Sequence, residues 1–258
     1  VTTAYNQRPP VKDLAISPQE LKDLFLFGVK LTDDNGCPFP ESMYEFYIRS
    51  AQEWLEMELG GISITERVIT NEIHDYYMND YISYNFLKLF RFPVTEVTDV
   101  SIQFPLSSDI LTFDPTWYRA ESVSGQVNLV PTHGTFSSIL IGQAGGYLPL
   151  LNQAFNIPAI MRVSYQVGFK KGAIPASIKE IIGMKAAMGP LNVAGDLIAG
   201  AGIASKSLNI DGLSQSISTT SSATNSGYGA RILLYSKDIK DRLAIMRQYY
   251  RGIQMQVA

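Results

Sequence analysis

Between Pro40 and the glycine pair Gly60-Gly61, apolar residues recur at three-to-four spacing: Tyr44, Ile48, Ala51, Leu55 and Leu59. That is the period of an α-helix, so these side chains share one stripe. Met43, Tyr47 and Trp54 widen the stripe, while Glu45, Glu53, Glu56 and Glu58 sit off it and read as a solvated face. The paired glycines are a stop signal. A shorter helix is predicted upstream, where Ser17-Pro18-Gln19-Glu20 offers Ser17 as N-cap and Glu20 at the capping-box position. Leu21, Leu24, Phe25 and Gly28 are expected on its apolar face, and Asp33-Asp34-Asn35-Gly36 reads as a turn. Residues 1–16 read as an arm, extended around Arg8-Pro9-Pro10.

From Ile62 the pattern changes. Residues 62–174 are rich in β-branched and aromatic side chains and are broken by Pro and Gly. Val94, Val97, Val100, Ile102 and Phe104 favour strand, as do Val127, Leu129 and Ile139-Leu140-Ile141. The run from Val163 to Phe169 alternates apolar and polar, as a half-buried strand does. Gly142 to Pro149 reads as a mobile loop.

Helix returns at Ile174-Pro175, with Pro175 suited to a first turn. Ile178, Ile181 and Ile182 share a face with Lys185. Small residues at Gly183, Ala186, Ala187 and Gly189 leave room for a neighbouring helix. Pro190 is expected to kink or interrupt this helix, with a second piece from Leu191 to Ile198. A last helix is predicted from Ser236 to Arg251, with Leu243, Met246 and Tyr250 on its apolar side.

Between these helices lies the uncharged run Gly212–Ala230. Its Ser, Thr, Gly and Asn residues offer a core little apolar surface, so the free chain is expected to order it poorly. Leu213, Ile217 and Tyr228 are spaced through it, and such a segment can gain order on another chain. The terminal stretch Gly252 to Val257 alternates apolar and polar and could add as a strand to a partner's sheet.

The expected class is α+β: a helical bundle body with an inserted antiparallel β-rich domain and an extended C-terminal arm. The parts are residues 1–61 (arm and helices), 62–174 (β-rich insertion) and 175–258 (helices with an extended uncharged loop over 199–235, then a tail). No fixed-period repeat is present.

Composition narrows the functional classes. The chain has 258 residues, 46% hydrophobic and only 17% charged, enough for a real core with a low-charge surface suited to being covered by neighbours. Fourteen tyrosines fit the same picture, because the ring is apolar and its tip polar. Net charge is −3, and no Lys/Arg block exists of the kind that grips phosphates, so sequence-specific nucleic-acid binding is not expected. Cys37 is the one cysteine, which excludes an internal disulfide or a cysteine-based metal site and makes a reducing cytoplasm the simplest place of synthesis. No apolar run is long enough to span a bilayer, and the first residues show no signal-peptide pattern.

Candidate chemistry is thin. His74 and His133 are the only histidines; His74-Asp75 could belong to a triad or metal site, yet no nucleophile-elbow or His-x-x-x-His spacing accompanies it. Two ordinary histidines are the better reading, and a hydrolase using His74 or His133 with nearby carboxylates is the rival from another class. Asp33-Asp34-Asn35-Gly36 lacks the spacing and closing Glu of a calcium loop, and Gly200-Ala201-Gly202 lacks the Lys-Ser or Lys-Thr pair of a phosphate loop. Cys37 has no neighbour that would activate it. No catalytic residue, cofactor or metal is expected, and a secreted adhesin is disfavoured by the flanking helices.

The order of segments resembles the head-to-tail connector, or neck adaptor, proteins of tailed bacteriophages. The resemblance rests on the helix at 40–60, the run Phe92-Pro93-Val94-Thr95-Glu96-Val97-Thr98-Asp99-Val100, Trp117-Tyr118 before Gly125-Gln126-Val127, the strand Arg162–Phe169 and Ile174-Pro175-Ala176-Ser177-Ile178-Lys179. It covers roughly residues 40–190; the stretch near 132–158 and the tail from Leu191 depart from the pattern by their length. It implies a non-enzymatic virion protein, made in the host cytoplasm, that forms a ring with itself, usually a dodecamer. The ring would sit beneath the portal protein, meet tail or neck proteins, and let double-stranded DNA pass through its lumen without specific binding. It also implies that the C-terminal segment docks on the portal, with Leu213, Ile217, Tyr228, Arg247, Tyr249, Tyr250, Arg251, Ile253, Met255 and Val257 as expected interface residues. A tail-completion or tail-terminator protein is the alternative within virion assembly.

Overall fold

The computed structural model describes residues 13–33, 35–77, 86–103, 109–130, 156–199, 205–210, 213–218 and 228–251. The class is mixed α and β, with four described helices and antiparallel sheets. The chain divides into two compact units, one built on Gly61–Ala173 and the other on Val11–Gly60 with Ile174–Gly252.

In the helical unit, α1 (Pro18–Leu24) opens on the capping box read from sequence. The Glu20 backbone N–H donates to Ser17 Oγ at 3.1 Å, and the Ser17 N–H donates to Glu20 Oε2 at 2.7 Å. Leu21 is buried, but Leu24, the last residue of the helix, is 69% exposed, and Phe25 and Gly28 of the expected face lie beyond the helix end. Helix α2 (Glu41–Glu58) buries Tyr44, Ile48, Ala51 and Leu55, the stripe that the spacing marks out. Its polar side differs from expectation at one carboxylate, since Glu56 is buried beside the stripe rather than solvated. Gln52 is also buried, and its Oε1 accepts the Ala15 N–H at 3.0 Å.

Helix α3 (Ala176–Ala199) runs through Pro190 as one element, so of the kink or interruption expected there the interruption does not occur. It touches both α2 and α4 (Gly229–Arg251), and its buried residues point all round the axis, as in a central helix. The small residues of α3 serve as seats for rings. A Cβ at Gly183 would lie 2.2 Å from the Phe25 ring, and one at Gly189 would lie 2.3 Å from the Tyr47 ring. Helix α4 begins at Gly229, seven residues before the expected Ser236, because Ile232, Tyr235 and Ile239 continue the stripe of Leu243, Met246 and Tyr250.

The β unit contains a four-stranded antiparallel sheet in the order β1 (Arg67–Tyr77), β7 (Asn156–Val167), β3 (Val94–Gln103), β4 (Asp109–Thr112). A smaller sheet has the order β2 (Phe86–Lys88), β6 (Gln126–Leu129), β5 (Tyr118–Glu121). Both supply one core, in which Leu87, Val127 and Leu129 join Val100, Ile102, Val163 and Tyr165. Strand β7 alternates in burial over 163–167 as read from sequence, but Ile160 to Val163 are all buried, as happens where both faces of a central strand are covered.

The uncharged loop expected over 199–235 is replaced where it is described. Residues Ser205–Ile210 form β8 and Leu213–Ser218 form β9, an antiparallel pair with Leu213 opposite Ile210 and Ile217 opposite Lys206. Thr, Ser and Ile favour extended backbone, and a hairpin pairs the backbone groups of a segment that lacks a core of its own. Gly142–Pro149, Ile139-Leu140-Ile141, His133 and the alternating tail from Gly252 lie outside the described residues.

Candidate functional site

Among the described residues, a buried polar cluster lies in the β unit, where β1 departs from regular pairing. Asn71 has a φ of 53°, its N–H donates to Ser164 Oγ at 3.1 Å, and the β1–β7 register shifts between Ile69 and Glu72. A bulge of this kind re-aims the side chains that follow, and Glu72, Ile73 and His74 are consecutively buried.

Glu72, 5% exposed, uses both carboxylate oxygens internally. Its Oε2 accepts from the Tyr165 hydroxyl at 2.5 Å. Its Oε1 accepts the Phe90 N–H at 3.1 Å and lies 2.8 Å from His74 Nε2. The His74 ring stacks on Phe90 with centroids 4.7 Å apart. Burial pushes the Tyr165 phenol far above its usual 10.0, the Glu72 charge pushes it further, and the Arg91 backbone N–H and guanidinium oppose the shift. A phenol held neutral in this way donates a hydrogen bond and does not act as a nucleophile. The cluster ties β1, β7 and the 89–92 segment together.

The neighbouring carboxylate has a positioning task too. Asp75 Oδ1 accepts the Ala159 N–H at 2.8 Å, at a β7 residue whose φ is 56°. Among the described residues, no group of three or more His, Cys, Asp and Glu side chains could hold a metal ion, and no helix is long and apolar enough to cross a membrane. Cys37 is exposed in a turn organised by Asp33, whose Oδ1 accepts from the N–H groups of Asn35 and Cys37.

Four of the expected interface residues, Arg247, Tyr249, Tyr250 and Arg251, gather in the last turns of α4. Arg247 pairs with Glu58, Tyr249 is 62% exposed, and Tyr250 is half-buried with its ring edge-on to Tyr249 at 4.8 Å. Arg251 closes the helix. Tyr228 is half-buried just before α4, and its carbonyl accepts the Arg231 N–H at 3.0 Å. Leu213 and Ile217 fall on β9, away from that group along the chain, and Ile253, Met255 and Val257 are outside the described residues.

Sequence reading missed the exposed apolar residues of the helical unit. Phe27 is 79% exposed beside an anchor in which Arg231 Nη2 and the Tyr235 hydroxyl donate to the Phe25 carbonyl at 2.7 and 2.8 Å. Phe46 and Met57 on α2, and Leu233, Leu234 and Ile245 on α4, also face solvent. Most lie beside other apolar residues in sequence, as Phe27 does beside Leu26 and Leu233-Leu234 beside Ile232, so the signal appears only once the buried face of each helix is known.

No protein-family model and no curated protein matches the chain. Among solved structures, the chain is similar to one in the neck of an empty gene transfer agent (GTA) particle computed with C6 symmetry, at 14% identity and a TM-score of 0.43, covering 69% of this chain and 81% of that one. The same figures hold for a chain in the virion of a native gene transfer agent particle. For a chain in the neck of a native GTA particle computed with C12 symmetry, identity is 13% and the TM-score 0.39, over 69% of this chain and 80% of that one.

Proposed function

We infer that the chain is a structural protein of a tailed-bacteriophage neck: a head-to-tail adaptor that forms a ring beneath the portal, continues the DNA channel toward the tail, and works by binding alone. The observation that supports this most is the segment order, in which the β-rich insertion interrupts the helical unit along the chain. Helix α2 precedes the strands, and the chain returns through Ile174-Pro175 into α3, the segment order on which the resemblance to neck adaptors rests. The His74 cluster adds nothing to a hydrolase reading, because its carboxylate and phenol are consumed in mutual hydrogen bonds and His74 is only 8% exposed. In the adaptor reading the last turns of α4 and the residues after Arg251 dock on the portal, and DNA passes without sequence-specific contacts.

The test is native mass spectrometry of the chain, alone and mixed with the portal ring of the same phage. One copy per portal subunit is the expected complex. A chain truncated after Arg251 should remain folded and fail to join. Normal attachment of the truncated chain would overturn the docking assignment. Failure of the full chain to bind an intact portal would shift the reading to a tail-side component.

A further inference from the structure

Strands β8 and β9 form a sheet of two, and among the described elements neither packs to any substantial extent on a third. Two strands alone are marginal in water, where a third strand or a packed face is normally needed. The register sorts their residues by chemistry, because directly opposite residues of an antiparallel pair share a face. Lys206, Leu208 and Ile210 therefore lie on one face with Leu213, Gln215 and Ile217. The other face holds five serines and Asn209. The hairpin thus has one largely aliphatic face, one hydroxyl face, and on each strand an outer edge that no other described strand pairs.

Bulges, prolines and charges are what normally guard a sheet edge against further pairing. Pairing here runs without a shift from Ser205–Ser218 to Ile210–Leu213, neither strand contains a proline, and Lys206 is the single charge. A strand that continues this sheet must continue both faces, so it needs aliphatic residues alternating with short uncharged ones in unbroken register. The strands at the ends of the other two sheets lack that pattern. Strand β1 shifts register at two places and carries Arg67, Glu72 and Asp75. Strand β4 begins at Asp109, where its pairing with β3 shifts, β2 carries Lys88, and β5 carries Arg119 and Glu121. Among the described strands, the one that fits β8 is β9, and the one that fits β9 is β8. Beyond the pair already made, that match is met by a second copy of the chain.

We propose that β9 of one copy pairs antiparallel with β8 of the next, so that successive hairpins join edge to edge in one continuous sheet. The contact is heterologous: each copy offers a β8 edge on one side and a β9 edge on the other, so it propagates into a ring or a filament rather than stopping at a dimer. Aliphatic residues of neighbouring copies become cross-strand pairs, and the serine faces run on beside one another. Charge permits the repeat. Lys206 recurs on every second strand, about 9.5 Å from its nearest copy, which exceeds the screening length of about 8 Å in physiological salt. This deepens the neck reading and rests on it for closure into a ring, where each subunit adds two strands to a barrel.

The test uses the full chain with Cys37→Ser, which removes its one thiol. One preparation then carries Ser207→Cys, and three others carry Ser214→Cys, Ser216→Cys or Ser218→Cys, which together cover the registers that keep the faces aligned. Opposite residues have Cβ atoms about 4.5–5.5 Å apart, near the span of a disulfide, and a single thiol per chain precludes a bond within the hairpin. The first preparation is mixed with each of the others at high concentration, with and without the portal ring of the same phage, and oxidised with copper phenanthroline. At least one mixture should give the mixed interchain disulfide in about tenfold higher yield than either preparation gives alone. Thermal melts should match the Cys37→Ser parent, showing each variant folded. Absence of the mixed disulfide in all three mixtures overturns the pairing, as does a Ser207→Cys preparation that cross-links to itself as readily as in the mixtures. If the chain binds the portal and no mixed disulfide forms, the pairing falls and the neck reading stands. If the mixed disulfide forms but the portal is never bound, the pairing stands and the neck reading falls.

Discussion

Tyr165 donates its hydroxyl proton to Glu72 across the β1–β7 pairing, joining residues 93 positions apart in the chain. Both are buried, so the bond is made where water cannot replace it. Tyr165→Phe keeps the ring and removes the donor, leaving one carboxylate oxygen short of a partner. The expected cost is about 1–3 kcal/mol of stability. In a double-mutant cycle with Glu72→Gln, the double variant should lose less than the sum of the singles, measured by urea denaturation.

The same burial sets a response to alkali. Tyr44, Tyr76 and Tyr165 have phenols raised above 10.0 by burial. The native state therefore holds these protons more tightly than the unfolded chain. Stability is fully present below pH 10 and declines above it, as the unfolded chain ionises first. Tyrosinate absorbance should rise in a gradual phase from exposed tyrosines, then in a cooperative step that coincides with loss of circular dichroism.

Acid works in the opposite sense at α1. Backbone hydrogen bonding from Ser17 holds the Glu20 carboxyl below its usual 4.5, with Lys179 adding attraction and partial burial opposing. The contribution is present above pH 4.5 and is lost as pH falls through the lower folded value. Ser17→Ala should cost about 1 kcal/mol through the lost cap yet keep most of the acid limb, because the Ser17 N–H remains, whereas Glu20→Gln should flatten that limb of the stability profile.

Gly168 is a position no side chain can share. Its φ is +101°, and a Cβ there would stand 2.1 Å from the Thr65 carbonyl oxygen, a backbone atom with no rotamer to move. Gly168→Ala should destabilise the β unit by on the order of 1–3 kcal/mol. Hydrogen exchange should register the loss at β1 and β7 before α2 and α3.

Arg247→Ala provides the contrast. Its pairing with Glu58 is surface-exposed, worth about 0–1 kcal/mol. The midpoint of unfolding should barely move. A large drop in portal or self-association in this variant would then report a binding surface and not a folding defect.

Much of the helical unit is legible in the sequence. The stripe of α2 and the Ser17–Glu20 box are local patterns, and local patterns survive in any tertiary setting that buries the apolar face. Strand β1 is less readable because Asn71 interrupts the two-residue period, so that Glu72, Ile73 and His74 are buried in succession. The start of α4 was hidden by Ser236, which satisfies N-cap chemistry in sequence yet sits inside a helix that packing extends back to Gly229. The Glu72–Tyr165 bond leaves no sequence signal: it depends on strand pairing at long separation. The exposed apolar residues of the helices are invisible for a related reason, since Phe46 differs from any other aromatic residue only by the rotation of its helix.

The helical unit is assembled from two stretches separated by the whole of Gly61–Ala173. A ribosome therefore finishes α2 long before it begins α3. At elongation rates of roughly 5–20 residues per second the delay is on the order of ten seconds, during which Tyr44, Ile48 and Leu55 lack the cover of α3. Birth order thus gives the strands first claim to a folded state, and leaves the first helices dependent on temporary shelter until their second half is synthesised.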